Sequence, residues 1–405
     1  MDKIRLLCPC HFGMEAVLKR EIADLGYEIS EVDNGKVTFL GDEDAIARAN
    51  IYLRTTERVL WRVADFKATT FDELFEAVKA IPWENYIPKD GRFWVAKANS
   101  VNSQLFSPRD IQRIVKKAMV ERMKQTYPDV EQFPETGADY PLRISILKDV
   151  VTIGIDTTGE SLHKRGYRKF TAPAPLTETL AAAILLLSPW RDDRVLVDPF
   201  CGSGTILIEA AMMARHIAPG VNREFLSEKW SDNNINHTNK RLLTDIYASC
   251  QSFDKVREQA RAEENHDPME LSISGYDIDD EVLRMARANA ELAGVVSDIH
   301  FQRRDVKDFS SPKKYGFVIT NPPYGERISD KDEMAPLYGT IGEKIAENDT
   351  WSWFILSGYE GAEDAIRKKT TKNRKIYNGM MKTYLYQYMG QKPPRKRNEK
   401  STVTK

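Results

Sequence analysis

An eight-residue stretch, Asp198-Pro-Phe-Cys-Gly-Ser-Gly-Thr205, limits the folds open to this chain more than any other feature. It lies between a short apolar run, Val195–Val197, and an apolar segment with helical spacing that begins at Gly204. Two glycines one residue apart let the backbone turn sharply and approach a ligand closely. The stretch has no Gly-Lys-Ser/Thr ending of a phosphate loop, and Leu207 replaces the third glycine of an NAD fingerprint. We therefore predict a different kind of strand-to-helix ligand loop, with a purely structural turn as the alternative.

Acidic residues end the next two predicted strands of the chain. Asp277 follows a strand predicted at Ile273–Tyr276, and Asp305 comes shortly after an apolar run at Ile299–Gln302. A carboxylate at the carboxyl end of a neighbouring strand accepts hydrogen bonds from ribose hydroxyls, so we assign Asp277 to a ribose and Asp305 to an adenine amine. The alternative for each of these acids is a helix N-cap, which we favour for the neighbouring Asp279 or Asp280 but not for Asp277.

A third predicted strand runs directly into the tetrapeptide Asn321-Pro322-Pro323-Tyr324. Proline cannot donate to a sheet ladder, and each proline favours extended geometry in the residue before it. The tetrapeptide therefore forms a stiff ledge that presents the Asn321 amide oxygen and the Pro322 carbonyl as fixed acceptors. Two acceptors beside the Tyr324 ring suit a planar base that carries an exocyclic amine. A rigid structural turn is the alternative.

The two parts of the chain differ in how strands and helices alternate. Up to about residue 160, short strands and helices alternate without glycine-rich loops, which predicts small α+β units. From about residue 170 the spacing widens and a hairpin ends the pattern, which predicts a doubly wound, mostly parallel sheet of the α/β class. Residues 218–270 exceed the length of a minimal crossover and are predicted to form a helical insertion. Residues 391–405 are predicted to be a disordered basic tail.

Length, charge and cysteine content exclude several classes of protein. A chain of 405 residues is expected to hold two or three compact units, and its net charge of −1 excludes a protein that is basic throughout. Its 4 cysteines are too few and scattered for a disulfide framework. Cys8-Pro-Cys-His11 invites a zinc interpretation, but no second ligand pair follows at metal spacing, so we predict strand residues and no metal. The chain shows no signal peptide pattern, and its longest apolar stretch, Leu180–Leu187, is too short for a membrane span. We expect a cytoplasmic protein.

Two local groups of basic residues stand out against the neutral total. One lies on a helix predicted from Pro108, outside its apolar stripe; a merely solvated face is an equally good explanation there. The other is the basic segment (residues 163–170), in which cations alternate with Tyr167 and Phe170 and no acid occurs. Charge neutralisation combined with ring stacking suits looped or single-stranded RNA, whereas a solvated linker is the alternative.

Together, Asp198–Thr205 and Asn321–Tyr324 resemble motifs I and IV of class I S-adenosylmethionine-dependent amino-methyltransferases. Gly325-Glu-Arg327, His163–Arg168 and Ala174–Ala181 resemble a narrower group, the THUMP-domain RNA methyltransferases that act on guanine N2, especially in 23S rRNA. The resemblance covers about residues 1–390. It implies a Rossmann-like methyltransferase domain at 161–390, preceded by a ferredoxin-like subdomain at 1–60 and a THUMP RNA-binding domain at 61–160.

The resemblance also implies a cofactor, S-adenosyl-L-methionine, and roles for individual residues. The cofactor-binding residues that it implies are Asp198, Phe200, Cys201, Gly202, Ser203, Gly204, Thr205, Asp277, Ile278, Asp305, Thr171, Pro175 and Leu176. The residues that would hold the target base are Asn321, Pro322, Pro323 and Tyr324. The residues that would bind RNA are Lys164, Arg165, Tyr167, Arg168, Lys169, Arg113, Lys116 and Lys117.

The activity implied is methyl transfer to the N2 amine of a guanine in 23S rRNA or a large-subunit precursor. Two alternatives stay open. An adenine-N6 methyltransferase shares the tetrapeptide, and a non-catalytic RNA-binding or ribosome-assembly factor could keep the same fold.

Overall fold

The computed structural model describes residues 3–42, 44–170, 176–230, 251–324, 331–379 and 381–394. The chain divides into two compact units. The first unit comprises residues 1–167, 178–183 and 215–266, and the second comprises residues 168–177, 184–214 and 267–405. The tail predicted from residue 391 lies outside the described residues from 395 onward.

Strands and helices of the described residues are numbered here in chain order. The strands are β1 (Ile4–Pro9), β2 (Glu28–Asp33), β3 (Lys36–Gly41), β4 (Leu60–Lys67), β5 (Arg92–Val101), β6 (Asp139–Leu147), β7 (Val150–Asp156), β8 (Leu196–Asp198), β9 (Ile273–Asp277), β10 (Ile299–Arg303), β11 (Phe317–Thr320), β12 (Ser352–Ser357), β13 (Lys372–Asn378) and β14 (Met381–Tyr388). The helices are α1 (Glu15–Asp24), α2 (Ala45–Tyr52), α3 (Phe71–Ala80), α4 (Pro108–Thr126), α5 (Glu178–Leu187), α6 (Thr205–Ala214), α7 (Phe253–Ala262), α8 (Asp280–Leu292), α9 (Lys331–Glu347) and α10 (Ala362–Ile366).

A seven-stranded sheet organises the first unit, in the order β2-β3-β1-β4-β7-β6-β5. Its neighbours are antiparallel except β5 and β6, which are parallel. Strand β4 pairs with β1 on one side and with β7 on the other, so the predicted ferredoxin-like and THUMP segments share one continuous sheet. Among the described residues, no helix combines the length and the apolar character that crossing a membrane requires.

Helix α4 shows how the sequence sets the packing of the first unit. Ser107 accepts a hydrogen bond from the Asp110 amide and caps the helix, while Pro108 occupies its first turn, where its missing N–H costs nothing. Ile111, Val115 and Ala118 recur at intervals of three and four residues and are all buried. The helix therefore faces the core with the predicted apolar stripe.

Of the predicted insertion at 218–270, the described residues 218–230 and 251–266 belong to the first unit, and residues 267–270 belong to the second. Residues 231–250 lie outside the described part, and α7 belongs to the remainder. The Trp230 ring stacks on Tyr140 with centroids 4.8 Å apart, and its Nε1 donates to the Asp139 carbonyl at 2.9 Å. The insertion thus adds core to the unit that contains the THUMP segment.

A second seven-stranded sheet organises the second unit, in the order β10-β9-β8-β11-β12-β14-β13. The five strands from β10 to β12 are mutually parallel, and β14 and β13 close the edge as an antiparallel hairpin. The doubly wound sheet and its final hairpin, predicted from the sequence, are confirmed. Because the carboxyl ends of parallel strands meet at one edge, the ends of β8, β9, β10 and β11 lie side by side.

Candidate active site

The glycine loop (residues 198–205) connects β8 to α6. Gly202 and Gly204 have φ values of +53° and +84°, a left-handed backbone that glycine adopts without steric cost. A Cβ at Gly204 would lie 3.2 Å from the Cβ of Ala286, so the packing of α8 also requires a glycine there. Burial raises the pKa of the Cys201 thiol well above its usual value, so this side chain is an inert part of the loop.

Asp277 at the end of β9 holds the glycine loop from the side. Its Oδ2 accepts a hydrogen bond from the Gly202 amide at 3.1 Å, and its Oδ1 accepts one from the Asp279 amide at 3.1 Å. Burial raises the pKa of this carboxyl above its ordinary value. Asp279 accepts from the Glu281 amide at 2.8 Å and caps α8, the role favoured for it from sequence. Asp277 therefore lies at the sheet edge where a ribose would be held.

Ile278 and Asp305 extend the same edge. The Ile278 side chain is 65% exposed, which is unusual for a large apolar residue and leaves a surface for a flat ring. Asp305 follows β10 and caps a short turn by accepting from the Lys307 amide at 3.0 Å. That hydrogen bond lowers the pKa of Asp305, so its carboxylate stays ionised.

Asp198 is the first residue of the glycine loop and is almost fully buried. Its Oδ1 accepts a hydrogen bond from the Thr320 hydroxyl at 2.6 Å and another from the Phe200 amide at 3.1 Å. Burial raises its pKa to about 7, the two hydrogen bonds oppose that rise, and the negative charge of Asp277 adds to it. A near-neutral titration at the base of a ligand loop is typical of functional sites.

The tetrapeptide Asn321–Tyr324 continues from the end of β11, next to β8. Pro322 is buried and Pro323 is exposed, and the Tyr324 hydroxyl donates to the Asn321 Oδ1 at 3.1 Å. The amide oxygen expected to accept from a substrate is thus engaged by the neighbouring phenol in this structure.

Tyr338 on α9 contacts the tetrapeptide through its hydroxyl. Its ring is fully buried, and its hydroxyl donates to the Pro323 carbonyl at 3.3 Å and lies 2.6 Å from the Ser357 hydroxyl. Sequence reasoning missed Tyr338, because nothing in the local pattern around residue 338 marks it as a partner of a loop 15 residues earlier.

In the basic segment (residues 163–170), two of the residues predicted to bind RNA are buried. Arg165 and Tyr167 are each 4% exposed. The Arg165 guanidinium donates to the Leu162 carbonyl at 2.6 Å and to the Arg54 carbonyl, so its charge is used inside the first unit. These two side chains have little surface left for contact with RNA.

Arg168 belongs to the second unit and also turns inward. Its guanidinium donates to the Leu176 carbonyl and to the Thr205 hydroxyl, at the point where α6 begins. Arg168 therefore supports the glycine loop, a position that its place in a basic cluster did not indicate. Lys164 and Lys169 are exposed, and Lys164 pairs with Glu160 at 2.9 Å.

Asn289 on α8 is a further site residue that sequence reasoning missed. It is fully buried; its Nδ2 donates to the Phe170 carbonyl at 2.9 Å and to the Ser203 carbonyl at 3.2 Å. Its Oδ1 accepts from the Lys169 and Phe170 amides, both at 3.3 Å. An amide on the buried face of an amphipathic helix was the available signal, since buried polar groups need specific partners.

The basic residues of α4 divide into two kinds. Arg113 and Lys117 are exposed, although Arg113 contacts Asp110 at 3.1 Å. Lys116 lies over the Phe93 ring, 3.7 Å from its centroid, and pairs with Glu135 at 2.7 Å. Lys116 is therefore committed to contacts within its own unit.

Some predicted residues lie outside the described part of the chain. They are Thr171 and Pro175 of the cofactor-binding residues implied by the resemblance in the segment 171–176, and Gly325, Glu326 and Arg327 after the tetrapeptide. Leu176, the last residue of that segment, is buried.

The groups at this sheet edge fit a nucleoside that carries a charged amino-acid tail. The carboxylates of Asp277 and Asp198 suit hydroxyls and cationic groups, and the exposed Ile278 suits a planar ring. The open backbone at Gly202, where a Cβ would meet nothing within 4 Å, leaves room for close approach.

Comparison with known proteins agrees with this geometry. Residues 165–387 match the family described as RMKL-like, methyltransferase domain, residues 5–60 match the RlmL ferredoxin-like domain, and residues 68–156 match the THUMP domain. Over 401 residues the chain is 45% identical to the "Putative RNA methyltransferase YpsC" of Bacillus subtilis (strain 168), which covers 98% of this chain and 100% of that protein.

Two further similarities bear on length and cofactor. The chain is 33% identical to the "Ribosomal RNA large subunit methyltransferase K/L" of Syntrophotalea carbinolica over 93% of this chain and 52% of that protein, so it spans about half the length of that relative. It is 41% identical to SMU.472, whose structure was solved in complex with SAH; the TM-score is 0.85, and 97% of this chain and 100% of that chain are covered.

The family match covers more than half of the chain, and the similarity to the Bacillus protein extends over its full length. SAH is what remains of S-adenosyl-L-methionine after its methyl group has been transferred, and S-adenosyl-L-methionine is the cofactor here, as the sequence predicted. The chain belongs to the RMKL-like methyltransferase family, with an RlmL-type ferredoxin-like domain and a THUMP domain ahead of its Rossmann-like methyltransferase domain.

Proposed function

We propose that this protein transfers a methyl group from S-adenosyl-L-methionine to the exocyclic N2 amine of a guanine in 23S rRNA, in the cytoplasm. The observation that carries the proposal is the junction of the Asn321–Tyr324 tetrapeptide with the glycine loop, made by the hydrogen bond between Thr320 and Asp198. The THUMP domain and the ribosomal RNA methyltransferase among its relatives support RNA as the substrate.

The tetrapeptide would act by holding the target amine. When bound, the cofactor supplies a methyl group on a positively charged sulfur. The Asn321 Oδ1 and the Pro322 carbonyl each accept one N–H of the amine, and this aims the nitrogen lone pair away from both acceptors. The Tyr324 ring stacks on the base. Positioning and electrostatics lower the barrier, and the proton lost from the methylated amine passes to water.

Besides stacking on the base, Tyr324 has a second role in this scheme. In the structure its hydroxyl donates to the Asn321 Oδ1 and uses one of the two lone pairs of that oxygen, so the phenol competes with the target amine for the same acceptor. The ring can stay over the base while the hydroxyl gives up its bond, since the ring alone does the stacking.

RNA contact is proposed for the exposed cations near the predicted binding elements. These are Lys164 and Lys169 in the basic segment, and Arg113 and Lys117 on α4. For Arg165, Arg168 and Lys116 we propose a supporting role, because each is engaged within its own unit, and for Tyr167 because its side chain is buried.

Methyl transfer to rRNA from a strain that lacks the gene tests the proposal directly. Wild-type protein and methyl-labelled cofactor should label one site in that rRNA, and a nucleoside digest should give N2-methylguanosine. Asn321→Ala should lower the rate by about 10²–10³-fold, the effect of removing one preorganised polar contact from a transition state. Asn373→Ala, an exposed asparagine on β13, is the matched control and should label at the wild-type rate.

The digest also decides between the alternatives. N6-methyladenosine in the product would replace guanine N2 by the adenine reaction that shares the tetrapeptide. If the wild type binds the cofactor but labels no nucleic acid, a non-catalytic assembly factor is the better description.

A further inference from the structure

The hydrogen bond between Asp198 and Thr320 joins two strands that carry different parts of the site. Strands β8 and β11 are parallel neighbours in which Val197 is opposite Val318; β8 ends at Asp198, and β11 ends one residue further along, at Thr320. Asp198 is 2% exposed and Thr320 is 1% exposed. The contact is 2.6 Å long, an ordinary length for a hydroxyl that donates to a carboxylate.

Because of where the two residues lie in the chain, this hydrogen bond connects the glycine loop with the tetrapeptide. Asp198 opens the glycine loop, and its Oδ1 also fixes the Phe200 amide at 3.1 Å. Thr320 immediately precedes Asn321, whose amide oxygen is proposed to hold the substrate. A shift of the Asp198 carboxylate therefore passes to Asn321 through one hydrogen bond and one peptide unit.

The electrostatic surroundings of Asp198 are unusual for a buried carboxylate. Within the described residues, no cation lies at ion-pair distance from it. The charged and titratable groups that face the glycine loop are Asp277 on β9, Cys201 in the loop itself, Arg287 on α8, and Arg168, which donates to Thr205 at the far end of the loop. Burial, with the added charge of Asp277, keeps the pKa of Asp198 near 7 in the free protein. A buried negative charge without a cation beside it is stabilised when a cationic ligand binds.

We propose that Asp198 and Thr320 form one positioning unit that responds to the positive charge of the bound cofactor. Cofactor binding ionises Asp198, the ionised carboxylate strengthens its hydrogen bond with Thr320, and Asn321 is thereby fixed for the target amine. Thr320 is a positioning residue in this scheme, because it acts through Asp198 and Asn321. Only the last step, at Asn321, rests on the proposed function.

The direction of the pH dependence follows from the charges. Below pH 7 the Asp198 carboxyl of the free protein is mostly protonated. A cationic ligand favours the ionised form and lowers the pKa of Asp198, so between the two pKa values binding releases a proton to solvent. Because the Thr320 hydroxyl holds the pKa of Asp198 down, its removal should move the proton release to higher pH.

Calorimetry of the full chain with S-adenosyl-L-methionine, in buffers of different ionisation enthalpy from pH 6 to 8.5, measures this proton. The ligand's own amine titrates in every variant, so the Asp198 share is the difference between wild type and Asp198→Asn. We expect that share to be close to one proton at pH 6 and about half a proton at pH 7. Thr320→Val should shift the curve to higher pH, whereas Thr320→Ser, which keeps the hydroxyl, should follow the wild type.

Equal proton release by wild type and Asp198→Asn would overturn the proposal, and so would a Thr320→Val curve that coincides with the wild type. Melting temperatures of the variants show whether they fold. If Thr320→Val does not fold, the difference in proton release between wild type and Asp198→Asn still decides the proposal. A second measurement uses methyl transfer at pH 8.5: Thr320→Val should regain cofactor affinity there but keep a reduced kcat. If the wild type transfers no methyl group, the proposed function fails, while the calorimetric result still decides whether the Asp198–Thr320 unit exists.

Discussion

The glycine loop and the basic segment are both conspicuous in the sequence, but they relate to the structure in different ways. The glycine loop lies between a strand and a helix, with Asp277 against it, as its pattern predicts. In the basic segment, Arg165 donates to carbonyls of the first unit, Tyr167 is buried, and Arg168 donates to Thr205 at the beginning of α6. The glycine pattern predicted the local structure correctly, whereas the basic pattern did not predict where its side chains lie.

The difference arises from what each pattern constrains. Glycine permits a left-handed turn that other residues disfavour, and proline restricts both itself and the residue before it. Both therefore indicate the local backbone, which then determines where functional groups point. Cationic side chains restrict nothing locally, because a long flexible stem can reach either solvent or a buried carbonyl. A cluster of basic residues in the sequence therefore indicates a binding surface only when the individual side chains are exposed in the structure.

The largest effect that would test this comparison is on stability. Arg165→Met keeps much of the side-chain volume but leaves the carbonyls of Leu162 and Arg54 without their donor. Loss of a buried charged donor should lower the free energy of unfolding by about 2–4 kcal/mol. Lys169→Met, the exposed control in the same segment, should change it by less than about 0.5 kcal/mol. Urea titration of the full chain measures both, and similar values for the two variants would show that Arg165 is not structural.

A smaller effect is expected in the glycine loop, where two glycine-to-alanine variants distinguish the cost of backbone strain from the cost of tight packing. Gly204→Ala adds a Cβ 3.2 Å from that of Ala286 at a φ of +84°, whereas Gly294→Ala adds one at +75° with nothing within 4 Å. Both variants should lose about 1 kcal/mol to strain. Only Gly204→Ala should also weaken cofactor binding, by about tenfold, because Ala286 pushes the loop out of place. Isothermal calorimetry and thermal melting measure these effects, and equal cofactor affinities would mean that packing against α8 does not set the loop.

The same distinction explains how much of the fold could be predicted. Strand β9 has a short apolar pattern, and its predicted limits, Ile273–Tyr276, differ from the observed ones by a single residue. Helix α9 was not predicted, because it contains Pro336 and two glycines, which disfavour helices locally. Gly342 is explained only by the fold, since a Cβ there would collide with the backbone of Ile366 on α10.

The candidate site shows the same limit. Asp198, Asp277 and Asn321 stand at strand ends, where the fold class alone brings them to one edge of the sheet. Asn289 and Tyr338 reach that edge from helices distant in sequence, and their hydrogen bonds depend on packing that no local pattern records. Sequence thus predicts groups on the strand ends better than the groups that support them.

A still smaller effect is expected at Tyr324, where the ring and the hydroxyl have separate parts. Tyr324→Phe keeps the ring but frees the Asn321 Oδ1, so KM for the RNA should fall about two- to fivefold with kcat little changed. Tyr324→Ala removes the ring and should raise KM about tenfold or more. Steady-state methyl transfer at saturating cofactor measures both. A higher KM for the phenylalanine variant would mean that the hydroxyl helps to bind the substrate rather than competing with it.

The smallest effect is expected at the exposed end of the basic segment, and it tests whether any part of that segment binds RNA. Lys169 is exposed, and Lys169→Ala should remove about one phosphate contact, which weakens RNA binding only a few-fold at low salt. The more telling quantity is the slope of log affinity against log salt, which should decrease by about 0.7–0.9 for one lost contact. Lys164→Ala should change the slope less, because Lys164 already pairs with Glu160. An unchanged slope for both variants would mean that the basic segment does not contact RNA and has a structural role only.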